Sequence, residues 1–86
     1  MCNKKTIQND IRKCKAICKA LKFGDYHSAF VNAKLHSDIW ILPTKEVNER
    51  LFKNIRYDAE NGTDFGCQLA RSLCEQLQGE LAKMGR

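Results

Sequence analysis

Four cysteines, Cys14, Cys18, Cys67 and Cys74, are the residues whose type and spacing come nearest to a shared chemistry. Cys14 and Cys18 lie one helical turn apart, and Cys67 and Cys74 two turns apart. If their two segments packed together, the thiols would meet, and a tetrahedral zinc site or a disulfide would come within reach. The spacing argues against zinc, because structural sites usually carry a tight C-x₂₋₄-C knuckle on each side. Here one side is C-x₃-C and the other C-x₆-C, so a paired C-x₃-C disulfide hairpin is not met either. A core thiol commonly acts as a small hydrophobe, and that is the role expected of all four. No metal and no cofactor is expected.

Acid–base chemistry has equally thin support. His27 and His36 stand near Asp25 and Asp38, and an Asp–His pair beside Cys67 or Ser72 would suit a nucleophile and its base. Nothing in the sequence brings these residues together, and such residues are routine in polar turns. Glu46 and Glu49 lie one turn apart, but Arg50 and Lys53 follow each by four places, the spacing of surface ion pairs. A non-enzymatic protein is therefore expected.

The charge layout carries more information. Of 15 basic residues in the 86-residue chain, seven fall within residues 1–22, with Asp10 the one acid there. The remainder of the chain is close to neutral, so the positive excess behind the net charge of +5 belongs entirely to the N-terminal segment. Lys5, Arg12, Lys15, Lys19 and Lys22 recur at helical spacing, one residue round from an apolar stripe. One residue is about 100° of helix, so a helix here would bury one face and present a basic ridge beside it. Such a ridge suits an acidic protein groove or a phosphate backbone, and solvated charge alone also produces it. An acidic protein surface is the preferred partner. Arg12 is the one arginine on the ridge, and no glycine-rich phosphate loop or RNA-binding aromatic pair accompanies it. Tyr26 and Trp40 join the ridge as candidate anchors, since tryptophan and tyrosine dominate many binding hot spots.

The elements that must position these residues are mainly helical. Ile7, Ile11, Cys14, Cys18 and Leu21 step by 4, 3, 4 and 3, predicting a helix over 6–22 that Gly24 closes. Residues 1–5 read as a polar, basic lead-in. Thr44 as N-cap and the run Val47, Leu51, Ile55 predict a helix to about Tyr57, followed by a loop from Asp58 to Thr63. Thr63 or Asp64 then caps a last helix with the stripe Cys67, Ala70, Cys74, Leu77, Leu81 and Met84. The first and last helices are expected to form the main packing pair.

Residues 25–42 allow two readings. Asp25 can cap a short helix with Tyr26, Ala29, Phe30 and Ala33 on one face. Alternatively, Ala29, Val31, Ala33 and Leu35 alternate as a strand does, and Ile39-Trp40-Ile41-Leu42 supplies a β-favouring partner. Composition tips the balance to helix. Gly24-Asp25-Tyr26, with Ala29 three places on, resembles the turn between paired helices of a tetratricopeptide repeat. Lys13 and Ala16 stand where that repeat has an aromatic and a leucine, so ordinary helix-turn-helix grammar is inferred and no family.

Together these patterns predict one domain, a mainly α bundle of three or four helices, with α+β (a hairpin at 28–42 on three helices) as the alternative. The first twenty residues carry too many charges for an export signal, and nothing approaches the roughly 20 apolar residues of a membrane span. A cytoplasmic protein without membrane contact is expected, its thiols reduced. The function expected is a protein-binding module of adaptor or inhibitor type, docking a larger acidic protein through the basic helix. An accessory protein of a mobile genetic element fits this size and lack of motif. The alternative is a nucleic-acid-binding regulator using the same helix on phosphates. The wide apolar face of the last helix also leaves room for a homodimer.

Overall fold

The computed structural model describes residues 4–84. Four helices follow one another, α1 (Lys4–Lys22), α2 (Tyr26–Asn32), α3 (Thr44–Asn61) and α4 (Phe65–Met84). There is no strand among the described residues, so the bundle forms and the hairpin alternative does not. None of these helices is long and apolar enough to cross a membrane.

α1 buries Ile7, Ile11 and Cys14 of the stripe that its spacing predicts, while Cys18 and Leu21 are half-buried along one edge and Ile17, beside the stripe, is fully buried. It starts at Lys4, so Lys4 and Lys5 form its first turn instead of belonging to a lead-in; Met1 to Asn3 lie outside the described residues. Its end is closed by Gly24, whose φ of 73° is a left-handed conformation, with the Gly24 and Asp25 N–H groups donating to the Leu21 and Ala20 carbonyls.

Asp25 caps α2. Its carboxylate accepts from the Ser28 N–H at 3.1 Å and the Ser28 hydroxyl at 2.7 Å, and these two bonds hold its pKa below the usual carboxylate value. After Asn32 the chain leaves the helix, and burial alternates from Ala33 to Asp38, the period of an extended run. The alternation in the sequence does not mark a strand: Ala29 and Val31 lie in α2, and only Ala33 and Leu35 fall in the segment that follows, where side chains satisfy the backbone in place of a partner strand. Asn48 of α3 accepts from the Leu35 N–H at 3.0 Å and donates to the Leu35 carbonyl at 3.1 Å. The buried Asp10 carboxylate accepts from the N–H groups of His36 at 3.0 Å and Ser37 at 2.7 Å. With these groups satisfied, Ile39–Leu42 has no strand to pair with.

α3 continues four residues past the predicted end near Tyr57. Asp58, expected in a loop, is fully buried and is the reason. Its carboxylate accepts from the Thr63 hydroxyl at 2.5 Å and from the N–H groups of Phe65 at 2.9 Å and Gly66 at 2.7 Å, capping α4 from the preceding helix. Neither Thr63 nor Asp64 performs that part of the capping by its side chain. Thr44 likewise is not a side-chain cap: its hydroxyl donates to the Ser37 carbonyl at 2.5 Å, and Pro43 precedes the helix.

α1 and α4 share the most extensive interface in the bundle, followed by α1 with α2 and α3 with α4. The Cys18 thiol reaches the Cys67 carbonyl at 3.3 Å, and Lys22 and Phe23 lie beside Thr63 and Asp64, so the two long helices run antiparallel. Their core is shared with Leu51 and Ile55 of α3 and Ala70, Leu73 and Leu77 of α4. Gly66 sits where three helices meet: a Cβ there would stand 3.0 Å from Leu21 Cδ1, Ile55 Cγ1 and Asp58 Oδ2.

Candidate functional site

The five ridge residues Lys5, Arg12, Lys15, Lys19 and Lys22 are all exposed along α1, beside its buried face. They do not act as one uniform stripe. Arg12 borders a polar hollow of about 490 Å³ together with Asn9, Lys13 and His36. There the Lys13 ammonium is held by the Lys34 carbonyl at 2.7 Å. Lys15, Lys19 and Lys22 instead look onto α4, where Arg71 faces them across a groove.

That groove has two sections joined at Cys18 and Arg71. The larger, about 560 Å³, lies between Lys19, Lys22 and Phe23 on one wall and Asp64 and Cys67 on the other. The smaller, about 330 Å³, lies between Cys14 and Lys15 on one side and Cys74 and Glu75 on the other. Volumes of this order are typical of sites that seat a ligand or an anchor side chain. Four cations and two carboxylates therefore surround an apolar floor of Cys18, Leu21 and Cys67. Among the described residues the one ion pair within 4.0 Å is Lys83–Glu80, so none of the four groove cations is neutralised by a close carboxylate. Phe23 closes one end of the groove and is 74% exposed.

Two thiols of the groove, Cys14 and Cys18, are held protonated at neutral pH. Burial pushes Cys14 up to about 12, with the nearby Cys74 thiol adding to it. Cys18 rises to about 12 as well, from burial first and then from its hydrogen bond with Cys67. In this state they are weak nucleophiles and weak ligands, and they line the groove as small apolar groups. The α1–α4 packing does bring Cys18 against Cys67 and Cys14 near Cys74. No group of three or more His, Cys, Asp or Glu among the described residues is placed to hold a metal ion.

Tyr26 and Trp40 do not line this groove. Tyr26 is half-buried on α2, packed against the core. Trp40 is half-buried in the segment between α2 and α3, its indole Nε1 enclosed and without a hydrogen-bond partner among the described residues. It borders a separate hollow of about 260 Å³ with Leu42, Val47, Arg50 and Leu69. Its neighbour Ile41 is the exposed residue of that run, at 99%. The candidate acid–base residues are also dispersed: His36 borders the polar hollow, Ser72 the Trp40 hollow and Cys67 the groove.

Sequence reasoning missed Arg71 and Phe23. Arg71 is four residues after Cys67 and three before Cys74, on the edge of the α4 stripe. Its position opposite Lys19 and Lys22 follows once the two stripes are packed antiparallel. Phe23 is the residue before the closing glycine, where an apolar side chain has left the buried face.

No protein-family model matches this chain, and neither the curated proteins nor the solved structures contain a match to it.

Proposed function

We propose that this protein is a non-enzymatic protein-binding module of adaptor or inhibitor type, which docks an acidic surface of a larger partner. The observation that supports the reading is the convergence of Lys15, Lys19 and Lys22 from α1 and Arg71 from α4 on one groove with an apolar floor. Cations on one helix face can be no more than a solvated surface. Cations from two helices, unpaired and bordering apolar surface with an exposed Phe23, favour a partner that offers both carboxylates and apolar groups. A bare phosphate backbone offers negative charge without the apolar groups that Phe23 and the groove floor would meet.

The test compares the wild-type protein with Lys15→Glu/Lys19→Glu/Lys22→Glu and with the corresponding triple glutamine variant. All three are immobilised and exposed to lysate of the source cells, one half of it treated with nuclease. The expected result is an acidic protein held by the wild type, weakened by glutamine and lost with glutamate, with circular dichroism showing that both variants remain helical. Its retention should fall only modestly as salt rises, in contrast to the steep loss that counterion release imposes on phosphate binding. Equal retention by all three proteins would remove the ridge from the reading. Retention that disappears with nuclease would transfer the groove to nucleic acid.

A further inference from the structure

We propose that the α1–α4 groove is a docking site for an acidic amphipathic helix of the partner, seated with carboxylates toward Lys15, Lys19, Lys22 and Arg71 and an apolar side chain on the Cys18–Leu21–Cys67 floor beside Phe23. The proposal rests on the protein-binding reading and specifies the occupant.

Three observations fix the chemistry. First, both walls of the groove are mainly helical, with the non-helical Phe23, Thr63 and Asp64 closing one end, and the interior backbone groups of α1 and α4 are already bonded within their own helix. A segment lying there finds no sheet edge, so its own backbone must be satisfied internally, and a helix does this. Second, Lys15, Lys19 and Lys22 step by 4 and 3 residues and span about 10 Å along α1. A helix laid along the groove presents Asp or Glu at i, i+4 and i+7 with the same rise, so each carboxylate meets one cation, and Arg71 closes over them from the opposite wall. Third, the floor between the cations is made of Cys18, Cys67 and Leu21, small and apolar side chains that accept the apolar residues flanking such a carboxylate row.

A second copy of this chain does not meet the description. α2 carries no carboxylate or lysine, α3 and α4 hold as many basic as acidic residues, and α1 is strongly basic. No helix among the described residues is acidic, so the occupant is assigned to another protein. The carboxylates of the groove fit the same assignment, because Asp64 and Glu75 fix where the partner's acidic row starts and stops.

The probe is a displayed library of helix-forming peptides of about 18 residues, five turns, randomised along one face. It is panned on the wild-type protein, and selected peptides are measured against Arg71→Glu, Phe23→Ala and the Lys15/Lys19/Lys22 triple glutamate variant. Arg71 and Phe23 are exposed, so both single variants keep the fold, which circular dichroism verifies. The expected outcome is enrichment of peptides with Asp or Glu at i, i+4 and i+7 beside Leu or Phe. These should gain helicity on binding, lose about tenfold in affinity with Arg71→Glu, and weaken again with Phe23→Ala. Peptides without acidic bias, or a library that yields no binder, would overturn the proposal. Acidic peptides lost in the triple variant but indifferent to Arg71→Glu and Phe23→Ala would overturn the groove and leave the protein-binding ridge standing. Binding confined to an oligonucleotide of matched charge would overturn both.

Discussion

Single polar side chains do much of the structural work that a hairpin would otherwise have done. Asp10, Asn48 and Asp58 satisfy backbone groups in both loops between long elements, and two of the three are fully buried. A buried carboxylate that accepts several N–H bonds is strongly destabilising to remove, because the donors are left without partners in a site closed to water. Asp58→Ala strands the Phe65 and Gly66 N–H groups and the Thr63 hydroxyl together. It should cost about 3 kcal/mol, and thermal unfolding followed by circular dichroism should show Tm lower by more than about 10 °C. A change of under about 1 kcal/mol would mean that the start of α4 is held by something else.

At the scale of the elements, the contact of α1, α3 and α4 near Gly66 sets how closely the long helices approach, and hence the width of the groove. A methyl group at Gly66 meets Leu21, Ile55 and Asp58 at 3.0 Å, and Asp58 cannot yield without loosening its bonds to α4. Gly66→Ala should therefore destabilise by about 1–3 kcal/mol. Gly79 lies in the same helix with nothing within 4 Å of its would-be Cβ. Gly79→Ala should instead stabilise by up to about 1 kcal/mol, since alanine is the better helix former. Chemical denaturation of the pair checks both signs, and destabilisation at both positions would sink the packing account.

For the whole molecule, burial of thiols couples stability to alkaline pH. The folded pKa values of Cys14 and Cys18, near 12, lie above the ordinary thiol value of 9.0. Below 9.0 both states keep the protons and the contribution of these groups is intact. As pH rises from 9.0 toward 12 the unfolded chain releases protons that the folded one retains, so stability falls. Cys14→Ala should be less stable than the wild type at neutral pH, through its lost packing, yet lose less on going from pH 8 to pH 11. Identical slopes in the two proteins would exclude the thiol as a source of the pH dependence.

The helical periods of α1, α3 and α4 and the closing Gly24 were legible in the sequence, because an apolar stripe at 3- and 4-residue steps can be buried only by a helix. The exposed basic ridge was legible for the same reason, since it lies one step from that stripe. The fate of residues 33–42 was not, because alternation marks an extended chain without saying whether a strand or the side chains of Asp10 and Asn48 will satisfy it. The buried role of Asp58 was hidden too, since a carboxylate among polar neighbours reads as loop until the partner helix end is placed against it. The sequence by itself determined which faces of the helices are apolar and where the positive charge lies. Only the tertiary structure decided that Arg71 and Phe23 join Lys15, Lys19 and Lys22 around one groove, and that Tyr26 and Trp40 stand apart from it. The physical reason is that periodicity fixes directions around one helix axis, whereas a groove depends on how two axes, distant in sequence, are packed.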